Sequence, residues 1–135
     1  MFQRSGYFLG APEDLMVGDP SNPTGYFENL KVWRANESVL AHFGATWFDP
    51  PDEDEQLARS GQLQPGLRCV LDELLAQAAV TQRPLALKDP RMGVLMPLWW
   101  PLLADLLHPV LVIRDPFEIA LSLERRDATA VPVAL

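Results

Sequence analysis

Two apolar runs in this chain each end in a cation, and Asp-Pro follows each cation. Residues 84–88 read PLALK and residues 109–114 read PVLVIR. Short, wholly apolar runs are typical of strands in a parallel sheet that is covered by helices on both faces. A helical pattern follows each run, so residues 84–126 predict a strand–helix–strand–helix unit. Its connection should be right-handed, which places both strand ends at the same edge of the sheet.

That sheet edge is where open α/β folds bind their ligands, and here it would carry the cations Lys88 and Arg114. The Asp-Pro after Arg114 suits the cap and the first position of the next helix, which would fix the guanidinium beside its first turns. Ser122 lies seven residues past that Asp, or about 10 Å along the helix. A phosphate lying along the helix flank could therefore reach both side chains. In the alternative, Arg114 pairs with a carboxylate such as Asp89, and Ser122 is a surface serine.

The remaining segments predict helices and loops within a single domain over residues 1–135. Residues 10–27 are dense in Gly, Pro, Asn and Asp and indicate a loop. Residues 45–64 are polar and acidic and indicate a second loop. Apolar residues at a spacing of three to four predict helices elsewhere. These helices cover residues 28–43, 65–81, 94–107 and 116–126.

The net charge of −7 argues against one class of partner. Nucleic-acid binding needs a basic face, so we expect no nucleic-acid partner, and any phosphate site must be a local cluster of Arg and Lys. No stretch reaches the roughly 18 apolar residues that a membrane span requires. The first ten residues lack the apolar centre of a signal peptide. These features predict a cytoplasmic protein without a membrane span. His42 and His108 show no metal-ligand spacing, so we expect no metal site.

Three segments carry motifs in a defined order. They read LGAPEDLMVGDPSNPTGYFEN from residue 9, LALKDPRMGVLMPLWWPLL from residue 85 and IRDPFEIALS from residue 113. Together they resemble the sulfotransferases that use 3′-phosphoadenosine 5′-phosphosulfate (PAPS), including bacterial members of that family. The resemblance spans residues 9–126. It implies a helix-rich α/β fold, in which flanking helices cover a partial P-loop NTPase-like parallel sheet.

The resemblance also implies roles for particular residues. In that family, an Arg at a strand end and a Ser eight positions later bind the 3′-phosphate, which implies this role for Arg114 and Ser122. Lys88 and Arg91 would lie near the leaving group or the cofactor, and Glu28 stands where related members carry a proposed general base. Sulfuryl transfer needs such parts, because cations stabilise the leaving phosphate and a base takes the proton of the acceptor. From the residues alone, Arg91 could instead pair with Asp89. Glu28 could be a carboxylate in the first turn of a helix that the helix dipole favours.

The phosphate-binding loop of the family is present only in part. Family members place a loop such as R-S-G-T-S between the first strand and a long helix, and its backbone N–H groups hold the 5′-phosphosulfate. Arg4, Ser5 and Gly6 keep the R-S-G, which implies a cofactor-binding role for them, but Tyr7 follows in place of Thr or Ser. We therefore expect a domain that is incomplete at this loop and at its C-terminus.

Two functions remain open at this point. In the first, the chain is a PAPS-dependent sulfotransferase that transfers a sulfuryl group to a hydroxyl or amine acceptor. In the second, it is a catalytically inactive, truncated homologue with a partial nucleotide-binding or protein-interaction role. A nucleotide kinase is a weaker alternative because the motif G-x-x-x-x-G-K-[ST] is missing. If the first strand of the family is missing here, the sheet edge it leaves open would favour a homo-oligomer.

Overall fold

The computed structural model describes residues 6–20, 22–23, 25–110, 112–113 and 115–127. These residues form a 3₁₀ turn at Pro12–Asp14 and a set of α-helices. The helices are α1 (Leu30–His42), α2 (Glu53–Ala58), α3 (Ser60–Thr81), α4 (Arg91–Val94), α5 (Met96–Leu103) and α6 (Pro116–Asp127). Neither a β-strand nor a sheet forms within the described residues.

The predicted α/β class, with its P-loop NTPase-like parallel sheet, is therefore wrong. The first predicted strand, residues 84–88, makes a single parallel bridge between Leu85 and Phe8. The Phe8 N–H donates to the carbonyl of Pro84 at 2.8 Å. The second predicted strand, residues 109–114, makes no bridge in its described part. A stable sheet needs several neighbouring strands, and among the described residues only the short segment at Phe8 lies along the first run.

The hydrophobic core lies between α1, α3 and α5. Helix α1 packs on α3, α3 packs on α5, and the short helices α2 and α4 pack against these three. The buried side chains come mostly from one face of each long helix, as the apolar spacing predicts. They include Val32, Val39, Leu40, Leu67, Leu71, Leu74, Leu98, Trp99 and Leu103.

Helix α1 confirms the helix predicted over residues 28–43. Its N-terminus is set by Asn29, whose side-chain oxygen accepts from the backbone N–H of Lys31 at 2.9 Å. This contact satisfies one of the N–H groups that a helix terminus leaves without a partner. Its C-terminus is followed by Gly44, which has a φ of 64°. Glycine adopts this left-handed conformation without strain, so the helix stops there.

The loop predicted over residues 45–64 is wrong in its second half. Helix α2 forms there because the side chain of Asp52 accepts from the backbone N–H of Glu55 at 3.0 Å and caps it. Three of the acidic residues that suggested a loop lie in the first turn of α2, where the helix dipole favours negative charge: Glu53, Asp54 and Glu55. Helix α3 then begins at Ser60, which leaves Pro65 inside the helix instead of in its first turn.

The helix predicted over residues 94–107 is confirmed only in α5, since residue 94 belongs to α4 and residues 104–107 are not helical. The helical conformation is interrupted at Leu95, whose φ and ψ are −104° and 16°, two residues before Pro97. Proline has no N–H to close the preceding helical turn, which accounts for the break.

Helix α6 confirms the helix predicted over residues 116–126. The carboxylate of Asp115 accepts from the backbone N–H of Phe117 at 2.8 Å, which is the predicted cap. Among the described residues, helix α6 has no extensive contact with the other helices. None of the helices in the described part of the chain is long and apolar enough to cross a membrane.

Candidate functional site

Glu28 and Lys88, the two residues predicted to act in catalysis, are in contact. The Nζ atom of Lys88 lies 2.7 Å from Oε1 of Glu28, although the two residues are 60 positions apart. The side chain of Glu28 is 8% exposed and that of Lys88 is 47% exposed. The pair therefore joins a buried carboxylate to an ammonium group on a side chain that is half in solvent.

A turn in the backbone presents a second acceptor to the same ammonium group. Lys88 Nζ donates to the carbonyl of Tyr26 at 3.0 Å. Between Tyr26 and Glu28 lies Phe27, which has a φ of 58°. A bulky residue rarely adopts this left-handed conformation, which costs on the order of 1–3 kcal/mol and persists only where the surroundings enforce it. The turn allows the Tyr26 carbonyl and the Glu28 carboxylate to bind one lysine.

The position of Glu28 is fixed further by its neighbour Asn29, the cap of α1. The Asn29 side-chain amide donates to the carbonyl of Leu9 at 3.1 Å. This approach is possible because residue 10 is glycine: a Cβ atom there would lie 2.2 Å from Nδ2 of Asn29. The Leu9-Gly10 pair of the first motif therefore anchors the start of α1, where Glu28 lies.

Arg91, predicted to bind the cofactor, is engaged by two carboxylates. Its Nη1 atom donates to Asp89 Oδ1 at 3.1 Å, and its Nε atom donates to Glu37. Burial disfavours the charged guanidinium, but hydrogen bonds to Glu37 and Asp89 outweigh that effect and raise the pKa of Arg91 above its ordinary value. The guanidinium also lies over the ring of Trp33, 5.8 Å from its centroid. A phosphate would therefore compete with these two carboxylates for the guanidinium.

Asp89 belongs to a buried polar network that was not predicted from the sequence. Its side chain is fully buried, and Oδ2 accepts from Asn36 at 3.3 Å. The Oδ1 atom of Asn36 in turn accepts from the indole N–H of Trp99 at 2.8 Å. The network links α1, α5 and the segment after residue 88. A signal was present in the sequence, because Asn36 lies four residues from both Val32 and Leu40 on the apolar face of α1.

The other predicted binding residues lie apart from the Glu28–Lys88 pair or outside the described residues. Gly6 is exposed, and its carbonyl accepts from Nε of Arg83 at 2.8 Å. Ser122 is exposed on α6. No hydrogen bond or ion pair between described residues joins Gly6 or Ser122 to the pair. Three predicted binding residues lie outside the described residues, so their roles stay predictions. They are Arg4, Ser5 and Arg114.

Neither metal-ligand clusters nor known proteins add to this site. Among the residues that the structure describes, no three His, Cys, Asp or Glu side chains are grouped to hold a metal ion. Comparison with protein-family models, curated proteins and solved structures finds no match to this chain. A functional assignment therefore depends on the motifs and the contacts of this chain alone.

Proposed function

We propose that this chain is a sulfotransferase-like protein that transfers a sulfuryl group from PAPS to a hydroxyl or amine acceptor. The observation that carries the proposal is the 2.7 Å contact between Lys88 and Glu28. The motifs assign these two residues complementary roles, a cation for the leaving phosphate and a base for the acceptor. Such roles require the two groups to lie within the reach of one small reacting centre.

Lys88 has the hydrogen-bonding capacity that the first role needs. An ammonium group carries three N–H donors, and among the described residues Glu28 and Tyr26 accept two of them. The third donor and the exposed half of the side chain leave room for an anion. The 5′-phosphate of the nucleotide gains charge as the bond between sulfur and the bridging oxygen breaks. A cation beside that oxygen stabilises the charge most in the transition state.

Glu28 offers the matching proton acceptor. An ionised carboxylate only accepts hydrogen bonds, so an acceptor hydroxyl or amine would donate to it before the reaction. As the acceptor oxygen or nitrogen bonds to sulfur, its proton passes to Glu28 and the electron pair of the broken bond stays on the leaving phosphate. The products are the sulfated acceptor and 3′,5′-phosphoadenosine.

A second function is favoured by the contacts of Arg91. Its guanidinium already binds Asp89 and Glu37, so it is less available to a nucleotide than the resemblance implies. A catalytically inactive homologue, with a partial nucleotide-binding or protein-interaction role, would tolerate this arrangement.

A binding experiment tests the nucleotide site. Calorimetric titration with 3′,5′-phosphoadenosine should show binding to the wild-type chain, and Lys88→Met should weaken it about tenfold or more, because a hydrogen bond to a charged group contributes roughly 1.5–3 kcal/mol. Lys31→Met is the matched control, since Lys31 is also paired to carboxylates, with Glu73 at 2.6 Å and Asp14 at 3.0 Å. Absence of binding by the wild type, or equal weakening in both variants, contradicts the assignment of Lys88.

An activity experiment separates the two functions. Release of 3′,5′-phosphoadenosine from PAPS is measured with a panel of hydroxyl and amine acceptors. Glu28→Gln should lower the turnover rate about 10²- to 10⁴-fold, the usual contribution of a general base, while nucleotide binding is retained. A wild-type chain that binds the nucleotide but sulfates none of the acceptors would instead support the inactive homologue.

A further inference from the structure

Apolar side chains lie on the surface from the end of α5 to the middle of α6. We call this set the C-terminal patch. Its members are between 51% and 83% exposed. They are Leu106, Val110, Val112, Ile113, Phe117 and Leu121. Part of this segment has the sequence of a buried strand, yet in the described residues no other element covers it.

The exposed area of the C-terminal patch is large for a monomer. With about 200 Å² for a whole apolar residue, these side chains expose on the order of 770 Å². The largest apolar patch on a typical monomer is about 300–600 Å². A standard protein interface buries about 800 Å² on each partner. The patch therefore has the size of one side of a stable interface.

The backbone beside the patch has no backbone partner within the described part of the chain. Between the end of α5 and the start of α6, the described residues 107–110, 112 and 113 make no backbone hydrogen bond to another described residue. Non-helical backbone with free N–H and C=O groups beside apolar side chains is a template for pairing with another chain. The segment can thus satisfy backbone groups and bury side chains in the same contact.

We propose that a second copy of this chain covers the C-terminal patch, in a two-fold dimer in which the patch of each copy packs on that of the other. A two-fold axis brings identical surfaces together, so a patch of interface size on one copy meets an equal area on its partner. An axis perpendicular to the two segments sets them antiparallel, which lets their backbone groups pair. Homodimer interfaces are the more apolar class, in agreement with these side chains. The inference does not depend on nucleotide binding.

Sedimentation analysis over a concentration series tests the dimer. The wild-type chain should change from one copy to two as its concentration rises. Val112→Asp should weaken the association about tenfold or more, because an unpaired carboxylate would be buried in the interface. Added salt should strengthen the wild-type dimer, since each copy carries a net charge of −7 and screening reduces their repulsion.

Val80→Asp is the matched control. Val80 is 86% exposed on α3, outside the C-terminal patch, so its replacement should leave the dimer unchanged. Far-UV circular dichroism verifies that both variants stay folded, which is expected because both valines are exposed. The proposal is overturned if the wild type stays monomeric or assembles beyond two copies. It is also overturned if both variants weaken the association equally.

Discussion

Removing the amide of Asn36 should strongly lower the free energy of unfolding. In Asn36→Ala, the indole N–H of Trp99 loses its acceptor at 2.8 Å, and Asp89 loses a donor at 3.3 Å. Leaving a buried polar group without a partner costs about 1–3 kcal/mol each. The cost at Asp89 should be at the low end, because Arg91 still donates to it. The higher helix propensity of alanine returns less than about 0.7 kcal/mol, so we expect a net loss of roughly 1.5–3.5 kcal/mol.

Urea unfolding followed by far-UV circular dichroism measures this loss. Gln62→Ala is the control, since Gln62 is an exposed amide on α3 and its removal should change the free energy by no more than about 0.5 kcal/mol. A double-mutant cycle locates the effect. In a Trp99→Phe background the indole N–H is absent, so Asn36→Ala should cost measurably less there than in the wild type. Equal costs in the two backgrounds would refute the pairing of these side chains.

Two further perturbations address the start of α1. The hydrogen bond to Glu73 is the main cause that raises the pKa of Lys31 above its ordinary value. The stability that this hydrogen bond provides should therefore be complete below pH about 10.4, the ordinary pKa of lysine. It should be lost as the pH rises through the higher pKa of Lys31 in the folded state. The alkaline fall in the urea midpoint should be shallower in Lys31→Met than in the wild type, and parallel curves would contradict this. Gly10→Ala should lower the free energy of unfolding by roughly 1–3 kcal/mol, because its Cβ would displace the Asn29 amide and Gly10 has a φ of 133°. An unchanged urea midpoint would show that Asn29 does not need this close approach.

Helices with local signals were predictable from the sequence, and pairing between distant segments was not. Helix α6 follows its Asp-Pro start, and α1 ends before Gly44, as the residues indicate. Both signals act within a few residues of the helix end. The acidic segment before residue 60 also contains a local signal, the helix cap Asp52. The high charge of this segment nevertheless led to the prediction of a loop. The apolar runs fit buried strands, yet a strand needs neighbours, and the composition of a run does not reveal whether other segments lie beside it.

The candidate site likewise combines residues that the sequence indicated with contacts that it did not indicate. The motifs selected Glu28 and Lys88 from segments far apart in the chain, and these two side chains are in contact. The partner of Arg91 on α1, Glu37, had no signal in the sequence, because that contact depends on how α1 packs on α4. Asn36 did have one, as a polar residue at a helical spacing that is otherwise apolar. Motifs can therefore nominate candidate residues, whereas the ion-pair partners of those residues follow from tertiary packing.

Lys88 and Asp89 are adjacent in the chain but have different environments. The carboxylate of Asp89 is fully buried and is held by Asn36 and Arg91, so it anchors the backbone to the core. The next side chain toward the N-terminus, Lys88, extends to Glu28 and remains half exposed. A guanidinium that is held by two carboxylates and is only 14% exposed mainly stabilises the fold, whereas a half-exposed ammonium with a spare donor can bind a ligand. On this physical ground Lys88, more than Arg91, is the cation to test first for binding of the nucleotide phosphate.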